Sequence, residues 1–549
     1  MRPRPRRALL LVTAAALLRT LSLPGVLPWE GAGILVLLAV ALRLRAWEAG
    51  LGPRGDYLGG FLWFSGCLAF TAYTSWILPL GAAGPLALWW VLEGFLWRRL
   101  RSRTGAVPAL VLAGACTDFW RGVLPMGGMP WGQAALGLAG FPGILPAASV
   151  LGEEGVSLLV LLAGAGCARL LPGGRRPREA AGALGTAGAF LAGAALLAPS
   201  IPRGGAALDC LALQPNLGLR EKNDPSRRAS ILERHLELQA AAFQEGGPAE
   251  CLIWAETLFP VPALAEDGEG FLVRPLLGGR LQVLPAAEVR SLQAQVARAA
   301  AATGLRPQGW FLTGAHLYRV LPDPAAGEFS PRTSETLVFD AEGRLLAHAP
   351  KTELVPFGEA LPFGRALPGH RGLALEVYER FLLLPDFERG ALTGPLRLRR
   401  PDGDEVALGT AICWENQFPA VFRRLADRGA EAFLILSNEA WYGTGFEMDQ
   451  MLAATRFRAA ETGRAILRAT NTGLTVLVGP RGEVRDGVPR GRQTWLRASL
   501  SRVPGDFRTP WQAWGHALPF LASLLGPLLA LLGSLWPRPE QRDRPPDGA

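Results

Sequence analysis

The chain begins with a run of apolar stretches separated by short polar turns, and this pattern predicts a helical membrane region. A helix that spans a bilayer needs about 20 mostly apolar residues. Seven stretches before residue 200 and one after residue 513 approach this length, so we expect about eight transmembrane helices. The stretches are residues 8–26, 31–44, 58–80, 82–97, 106–119, 148–171, 180–198 and 514–536.

Between residues 204 and 503 the pattern changes to short apolar runs that alternate with amphipathic segments. Strands are predicted at residues 207–216, 250–257, 309–320, 406–415 and 430–438, with a hairpin at 334–351 and paired strands within 464–484. Helices are predicted at residues 225–244, 288–302, 419–428 and 448–462. Strands interleaved with helices indicate a layered α/β domain.

The placement of arginine predicts how the chain is oriented in the membrane. Clusters at residues 2–7, 43–45, 98–103 and 169–178 all fall on one side of the bilayer if the first seven segments alternate. Because basic residues concentrate on the cytoplasmic side, we expect a cytoplasmic amino terminus. The predicted domains are a transmembrane helical domain at 1–203, an α/β domain on the outer face at 204–503, and a final transmembrane helix with a cytoplasmic tail at 504–549.

The composition of the chain excludes a wholly soluble protein of one domain, since its 549 residues are 49% hydrophobic and only 19% charged. The net charge of +9 is concentrated beside apolar segments, so it indicates membrane topology rather than a nucleic-acid partner. Of the six cysteines, Cys67, Cys116 and Cys167 lie in or beside apolar segments. Cys210 and Cys251 fit buried strands, and a disulfide between them stays an open alternative.

Two features of the membrane region have alternative interpretations. Glu93 lies within an apolar segment, where an ionisable side chain is often functional, but its place near a predicted helix end favours snorkelling to the interface. The loop 122–146 is long, glycine-rich and aromatic. It either packs beneath the α/β domain and shapes a lipid entry, or anchors the chain at the membrane interface.

Candidate chemistry lies where apolar runs end. Cys413 closes one such run, although a lone cysteine is most often a small core residue. Glu256 closes another run, and Lys351 and Glu359 lie eight residues apart in a third segment. The 56 basic residues include only two lysines, Lys222 and Lys351, so 54 are arginines. A lysine retained in such a chain fits a site that needs a compact ammonium beside an oxyanion.

Five motifs, in this order and at these separations, resemble those of the carbon-nitrogen hydrolase (nitrilase) superfamily. They are WAET at residues 254–257, PKTELVPFGE at 350–359, ICWE at 412–415, SNEAWYG at 437–443 and RATNTG at 468–473. Together with the apolar front half, they resemble the apolipoprotein N-acyltransferases of bacterial inner membranes, a membrane-embedded family of that superfamily. The resemblance covers nearly the whole chain.

The resemblance implies a four-layer α-β-β-α sandwich, with Glu256 as proton acceptor, Lys351 as oxyanion stabiliser and Cys413 as nucleophile. Burial of Glu256 among apolar neighbours favours this role, because burial raises the pKa of a carboxyl group. Glu359 either orients the lysine or the incoming amine, or caps a turn. The motifs also contain four residues expected to support the site or contact substrate: Trp414, Glu415, Asn438 and Trp441. The resemblance implies no cofactor and no metal.

The implied reaction is ping-pong acyl transfer at the bacterial inner membrane. Cys413 takes an acyl chain from a phospholipid, phosphatidylethanolamine by resemblance, and holds it as a thioester. The α-amino group of a diacylglyceryl-cysteine at the amino terminus of an apolipoprotein then receives the chain. Segments 259–273 and 361–387 are expected to act as lids or membrane-dipping loops.

The sequence departs from the family pattern at Ala255 where proline is common, at Trp414 where tyrosine is usual, and at Glu439 where aspartate is common. The triad residues are all present, so we expect activity with an altered donor preference. Two alternatives stay open. One is a membrane-tethered amidase that passes the acyl group to water, and the other is a non-catalytic lipoprotein-binding or transport protein.

Overall fold

The computed structural model describes most of the chain, at residues 5–125, 127–172, 176–223, 227–265, 269–275, 281–323, 329–361, 369–381, 385–443 and 445–535. The predicted cytoplasmic tail lies outside these residues. Parts of the two predicted lid segments, 259–273 and 361–387, also lie outside them, as does Met126 of the loop 122–146.

Helices make up the membrane region and flank the strands of the α/β region. In chain order the α-helices are α1 Pro5–Leu21, α2 Leu35–Glu48, α3 Pro53–Cys67, α4 Ile77–Thr104, α5 Ala106–Arg121, α6 Ile144–Leu170, α7 Pro177–Leu196, α8 Leu219–Asn223, α9 Arg228–Gly246, α10 Ala286–Ala302, α11 His370–Phe381, α12 Pro419–Asp427, α13 Glu447–Thr462 and α14 Ala517–Leu535. Helices α1 to α7 and α14 form the membrane region.

Length and composition identify four candidate membrane spans among the described residues. They are Ile77–Thr104, Ile144–Leu170, Pro177–Leu196 and Trp511–Leu532. Helices α1, α2, α3 and α5 are 17, 14, 15 and 16 residues long, which is short for a full crossing. The structure therefore supports a multi-pass helical region, while the count of eight crossings stays a prediction.

The predicted membrane segment 58–80 is wrong as a single helix. Helix α3 ends at Cys67, a 3₁₀ turn covers Ala69–Tyr73, and α4 starts at Ile77. The residues between the two helices contact the α/β region: the Phe70 ring lies 5.0 Å from the Tyr442 ring, and Thr74 Oγ1 donates to the Trp441 carbonyl at 2.6 Å. These contacts explain the break, because the chain leaves the helical path to meet the other domain. The next predicted segment, 82–97, is the middle of the longer α4.

The snorkelling interpretation of Glu93 is also wrong. Glu93 lies inside α4, is 5% exposed, and faces the helical bundle. Arg43 of α2 donates to its carboxylate at 2.8 Å, and Thr117 of α5 donates at 3.3 Å. An ionisable group inside an apolar segment is stabilised here by a partner on a neighbouring helix, which the sequence of α4 alone could not reveal.

The α/β region contains two large sheets. Its strands are β1 Leu208–Gln214, β2 Ala249–Trp254, β3 Ala263–Leu264, β4 Phe271–Pro275, β5 Leu281–Pro285, β6 Leu305–Tyr318, β7 Arg332–Phe339, β8 Leu345–Pro350, β9 Leu396–Arg399, β10 Glu405–Ile412, β11 Ala432–Ser437, β12 Ile466–Thr470, β13 Thr475–Val478, β14 Val484–Val488 and β15 Thr494–Leu500. The first sheet has the order β15-β1-β2-β6-β7-β8, with β3 on β6, and the second has the order β14-β13-β12-β11-β10-β9. Strands β4 and β5 form a separate hairpin.

Alternate residues of each strand point into different cores, which produces four layers. Cys210 and Cys251 pair in register on β1 and β2 as free thiols, and they face Leu408 and Leu434 of the second sheet. The opposite face of β1 and β2 packs on α9 and α10, and the opposite face of the second sheet packs on α12 and α13. The structure thus has the expected α-β-β-α sandwich, since each sheet buries one face on its partner and one on helices.

The outer helix layer of the second sheet shares one apolar core with the membrane helices. Phe422 of α12 and Phe457 of α13 belong to the same cluster of buried residues as Trp47 and Val160 of the bundle. An ionic contact reinforces this junction. Helix α6 breaks at Gly152, where φ is 72°, and the freed Glu153 amide donates to Glu461 Oε1 of α13 at 2.7 Å.

Arg458 of α13 joins the two carboxylates at this junction. Its Nη2 lies 2.8 Å from Glu153 Oε2 and 3.0 Å from Glu461 Oε1, and all three side chains are almost fully buried. Removing one partner of a buried ionic group is strongly unfavourable, because an uncompensated charge stays behind. Arg458 therefore fixes how α13 sits on α6.

We predict that Arg458→Met lowers the free energy of unfolding by about 3 kcal/mol, since it leaves two carboxyl groups buried without their cation. Urea titration of the detergent-solubilised protein, followed by tryptophan fluorescence, measures the change. Arg423→Met is the matched control, because Arg423 makes only a partly exposed pair with Asp427 at 3.4 Å. We expect less than about 1 kcal/mol there. Equal effects of the two variants would contradict a structural role of the junction.

Candidate active site

The three catalytic residues predicted from the sequence each lie within two residues of a strand end. Cys413 comes immediately after β10, Lys351 immediately after β8, and Glu256 two residues after β2. Strands β2 and β8 belong to the first sheet and β10 to the second. The two stacked sheets therefore bring the three side chains to one cleft.

Lys351 occupies the centre of this cleft and is 1% exposed. Its Nζ lies 2.7 Å from Glu359 Oε1 and 3.7 Å from Glu256 Oε1. Burial alone lowers the pKa of Lys351, but the two carboxylates outweigh it and hold the pKa above its ordinary value. The ammonium therefore stays charged, and it ties together two acidic side chains from different segments.

Glu256 lies in a tight space between β2 and β6. A side chain at position 314 of β6 would place its Cβ 2.7 Å from the Glu256 Cα, so Gly314 is required for this approach. Glu256 is 7% exposed, and burial raises its pKa, an effect that the nearby Lys351 charge opposes. A carboxylate with a raised pKa is a better proton acceptor near neutral pH.

Cys413 has φ of 49° and starts a 3₁₀ turn that covers Cys413–Gln417. Its thiol is free. Burial raises the pKa of the thiol well above its ordinary value, the Glu256 charge raises it further, and the Lys351 charge lowers it. At neutral pH the thiol is therefore protonated in the resting site, and a base must take its proton when it reacts.

Glu415 joins the Cys413 turn to the segment after Lys351. Its Oε2 accepts the Ile412 amide at 2.8 Å, and its Oε1 accepts the Thr352 amide at 2.6 Å and the Thr352 hydroxyl at 2.8 Å. One buried carboxylate thus fixes the backbone on both sides of the cleft. Such local anchoring holds reacting groups at a set distance.

The other predicted supporting residues contact neighbouring loops. The Trp414 ring stacks on Trp131 at 5.7 Å, Asn438 Oδ1 accepts from Asn471 Nδ2 at 2.9 Å, and Trp441 bonds through its carbonyl to the segment between α3 and α4. Trp131 is 2% exposed, so the loop 122–146 packs beneath the α/β region at this residue, and the interfacial-anchor alternative is wrong for it.

The departures from the family motifs are accommodated locally. Ala255 is fully buried, and its carbonyl accepts the Gly314 amide at 3.3 Å. Glu439 forms a buried ion pair with Arg468 of β12. Trp414 faces the aromatic loop from the membrane region rather than solvent. No departure displaces Glu256, Lys351 or Cys413 from the cleft.

Lys222 on α8 also belongs to the site, although its position in the sequence indicated no role. Its Nζ donates to Thr257 Oγ1, next to Glu256, and its charge acts on both Glu256 and Cys413. The rarity of lysine in this chain was the available signal. Within the described ranges, no group of three or more His, Cys, Asp or Glu side chains could hold a metal ion. A thiol, a carboxylate base and a buried ammonium suit nucleophilic acyl transfer.

Two protein families match this chain in succession. Residues 15–166 match the N-terminal domain of apolipoprotein N-acyltransferases, and residues 223–503 match the carbon-nitrogen hydrolases. The first match falls on the membrane helices and the second on the two sheets and the candidate site.

Similar proteins cover nearly the whole chain. Apolipoprotein N-acyltransferase of Azotobacter vinelandii is 32% identical over 522 residues, which is 87% of each chain. That of Caulobacter vibrioides is 31% identical over 528 residues, 92% of this chain and 89% of the relative. That of Pseudomonas aeruginosa is 29% identical over 566 residues, 97% of each.

Solved structures are similar to part of this chain. An amidase from Nesterenkonia sp. AN1, with a covalent adduct at its active-site cysteine, is 18% identical, with a TM-score of 0.36 over 59% of this chain and 98% of the amidase. A carbon-nitrogen hydrolase from Helicobacter pylori is 15% identical, with a TM-score of 0.35 over 59% of this chain and 94% of its own.

We predict that iodoacetamide alkylates Cys413 with a pH midpoint above 9, because burial and the Glu256 charge raise the pKa of the thiol. Lys351→Met shifts the midpoint to higher pH, since the lost positive charge had stabilised the thiolate, and Glu256→Gln shifts it to lower pH. Timed alkylation and mass spectrometry of the Cys413 peptide measure the midpoint. A midpoint at or below about 8.5, the ordinary value for a free cysteine, would contradict the described surroundings.

Proposed function

We propose, because this chain belongs to the apolipoprotein N-acyltransferase family of the carbon-nitrogen hydrolases, that it transfers an acyl chain from a phospholipid to the amino-terminal α-amino group of a diacylated apolipoprotein. The observation that carries the proposal is the convergence of Glu256, Lys351 and Cys413 in one cleft beside the membrane helices. The two half-reactions are proposed from this geometry.

In the first half-reaction, Cys413 Sγ attacks the ester carbonyl carbon of the phospholipid while Glu256 takes the thiol proton. The carbonyl oxygen becomes an oxyanion, and Lys351 Nζ donates to it. The tetrahedral intermediate then breaks its bond to the glycerol oxygen, which takes the proton from Glu256. The products are a lysophospholipid and an acyl thioester on Cys413.

In the second half-reaction, the neutral α-amino nitrogen of the apolipoprotein attacks the thioester carbon. Lys351 again stabilises the oxyanion, and Glu256 accepts a proton from the nitrogen. The carbon–sulfur bond breaks, and the departing thiolate takes that proton from Glu256. This returns the thiol and the carboxylate to their starting states and leaves the acyl chain in an amide.

Glu359 and Glu415 act through other residues. Glu359 holds Lys351 Nζ with one oxygen and accepts the Val355 amide with the other at 2.8 Å, so it fixes the lysine relative to its own loop. Glu415 keeps the Cys413 turn at a fixed distance from that loop. Trp414, Asn438 and Trp441 support the walls of the cleft.

The membrane region supplies the side of the cleft through which lipid arrives. Phe70, Trp131 and Trp414 form a continuous aromatic cluster between the helices and the Cys413 turn. An apolar, poorly hydrated surface here protects a thioester from water until the amine arrives. We propose the donor to be phosphatidylethanolamine, with segments 259–273 and 361–387 as lids.

A membrane topology is part of the proposal. We propose domains at 1–203, 204–503 and 504–549, with eight crossings, both termini in the cytoplasm, and the catalytic domain in the periplasm of the bacterial inner membrane. Four candidate spans and the arginine distribution support this arrangement. The four shorter helices cross where the bilayer is locally thinner.

We predict that incubation with phospholipid alone adds one acyl mass to the Cys413 peptide, and that hydroxylamine removes it. Addition of a diacylated lipopeptide then converts the adduct to an acyl amide on the peptide. Mass spectrometry follows both steps, and Cys413→Ala is the control without a nucleophile. Release of free fatty acid without amide would establish an amidase-like hydrolase, and lipoprotein maturation by Cys413→Ala would establish a binding protein.

We predict that Lys351→Met lowers the rate of Cys413 acylation by about 10²- to 10³-fold, the usual loss on removal of one oxyanion donor. Single-turnover acylation with labelled phospholipid measures the rate, and thermal melting checks that the variant is folded. Arg423→Met serves as the comparison, because Arg423 pairs with Asp427 on α12 rather than with a residue of the site. A loss below about threefold in a folded Lys351→Met protein would exclude this role.

A further inference from the structure

The chain has only two lysines, Lys222 and Lys351, against 54 arginines. Like Lys351, Lys222 lies at the candidate site. Helix α8, which carries it, follows β1 after a short loop. That loop is fixed to the second sheet, since Asn471 Oδ1 accepts the Leu217 amide at 2.9 Å and Asn471 Nδ2 donates to the Leu217 carbonyl at 2.8 Å. Lys222 is therefore held in place at the cleft by both sheets.

The contact that Lys222 makes is unusual for a cation. Its Nζ donates to a neutral group, Thr257 Oγ1. Among the described residues, no carboxylate lies within ion-pair distance of it, and Glu221 on the same helix pairs instead with Arg234 of α9 at 2.9 Å. Burial lowers the pKa of Lys222 to about 8, while the charges of Glu256 and Cys413 oppose this decrease.

Thr257 itself is strained. Its φ of 53° is in the left-handed region, where a β-branched residue is an outlier. Such a conformation persists only when surrounding contacts enforce it. Thr257 follows Glu256 directly, so the bond from Lys222 to the Thr257 hydroxyl contacts the turn that carries Glu256.

Several charged groups lie around Glu256. Those that act on it most strongly are the ammonium groups of Lys351 and Lys222 and the carboxylates of Glu359 and Glu439, and the Cys413 thiol is also nearby. Lys351 is engaged with Glu359 at 2.7 Å, and Glu439 is paired with Arg468. Lys222 also acts on His316 of β6. Burial lowers the pKa of His316 well below its ordinary value, so this imidazole is neutral.

We propose that Lys222 is a positioning residue of the acylation step, which holds the Glu256 turn through Thr257 and supplies a second ammonium charge beside the Glu256 carboxylate. This inference rests on the proposed function, in which Glu256 accepts the Cys413 proton. Glu256 has to be ionised before it can accept a proton. The positive charge of Lys222 favours the ionised form, and so it extends activity to lower pH.

The sign of the effect defines the expected pH profiles. Without the Lys222 charge, the pKa of Glu256 rises, so the acidic limb of the rate profile moves to higher pH by about one unit. An arginine keeps a positive charge at this position, so Lys222→Arg keeps the acidic limb of the wild type.

The test is single-turnover acylation of Cys413 by phosphatidylethanolamine in mixed micelles, measured from pH 5 to 10 on the full-length protein. Lys222→Met should move the acidic limb upward by about one pH unit. Lys222→Arg retains the positive charge and should keep the acidic limb in place. Thr257→Val retains the charge but lacks the tether, so it should lower the maximal rate while the acidic limb stays in place.

The outcomes separate this inference from the proposed function. If the wild-type protein forms no acyl-Cys413 at any pH, the proposed function itself fails. If the wild type is acylated but a folded Lys222→Met leaves the acidic limb unmoved, or Lys222→Arg moves it as far as Lys222→Met does, Lys222 has only a structural role. Should Lys222→Met fail to fold, Lys222→Gln, which also removes the charge, is measured in its place, and an unmoved acidic limb there overturns the inference.

Discussion

The buried ammonium of Lys351 is the interaction on which the candidate site depends. An isolated charge in the protein interior is unfavourable by several kcal/mol, and only close partners of opposite charge compensate for it. Lys351 follows β8, while its partners Glu256 and Glu359 come from the end of β2 and from the loop after Lys351. The ion group therefore forms only when the first sheet has its correct register. Conversely, the ion group joins the segment after Lys351 to the turn that carries Glu256.

A second constraint is the attachment of this site to the membrane helices. The outer helix layer of the second sheet, α12 and α13, shares one buried apolar core with the helices of the bundle. The Cys413 turn lies between these layers, with Trp414 stacked on Trp131 of the membrane region. The Arg458 junction with Glu153 fixes the two parts in one orientation. The residue next to Cys413 therefore contacts an aromatic side chain of the membrane region, which fits the lipid donor of the proposed reaction.

Strands and helices with a local pattern of apolar residues were predictable from the sequence. Contacts between residues far apart in the chain were not. Buried strands such as β10 and amphipathic helices such as α9 were recognisable because their periodicity is local. Glu93 was misinterpreted because its partner, Arg43, is 50 residues away. Strand β15 was not predicted, since its place depends on pairing with β1 nearly 290 residues earlier. In the site, motif resemblance identified Glu256, Lys351 and Cys413, but the contact of Lys222 with Thr257 depends on tertiary structure and carries no local pattern.

The two lysines of this chain have one physical explanation. Elsewhere arginine serves as the cation, including buried pairs such as Arg458 with Glu153 and Arg468 with Glu439. Its wide planar group presents donors in a fixed geometry, and its charge is permanent. The cleft requires a compact donor that fits between Glu256 and Glu359 and can still turn toward an oxyanion, which describes Lys351. Beside Thr257, the compact ammonium group of Lys222 donates to one hydroxyl. In the proposed role its charge also favours the ionised form of Glu256. Both exceptions to the arginine bias therefore act on the same carboxylate, Glu256, which is the proton acceptor of the proposed reaction.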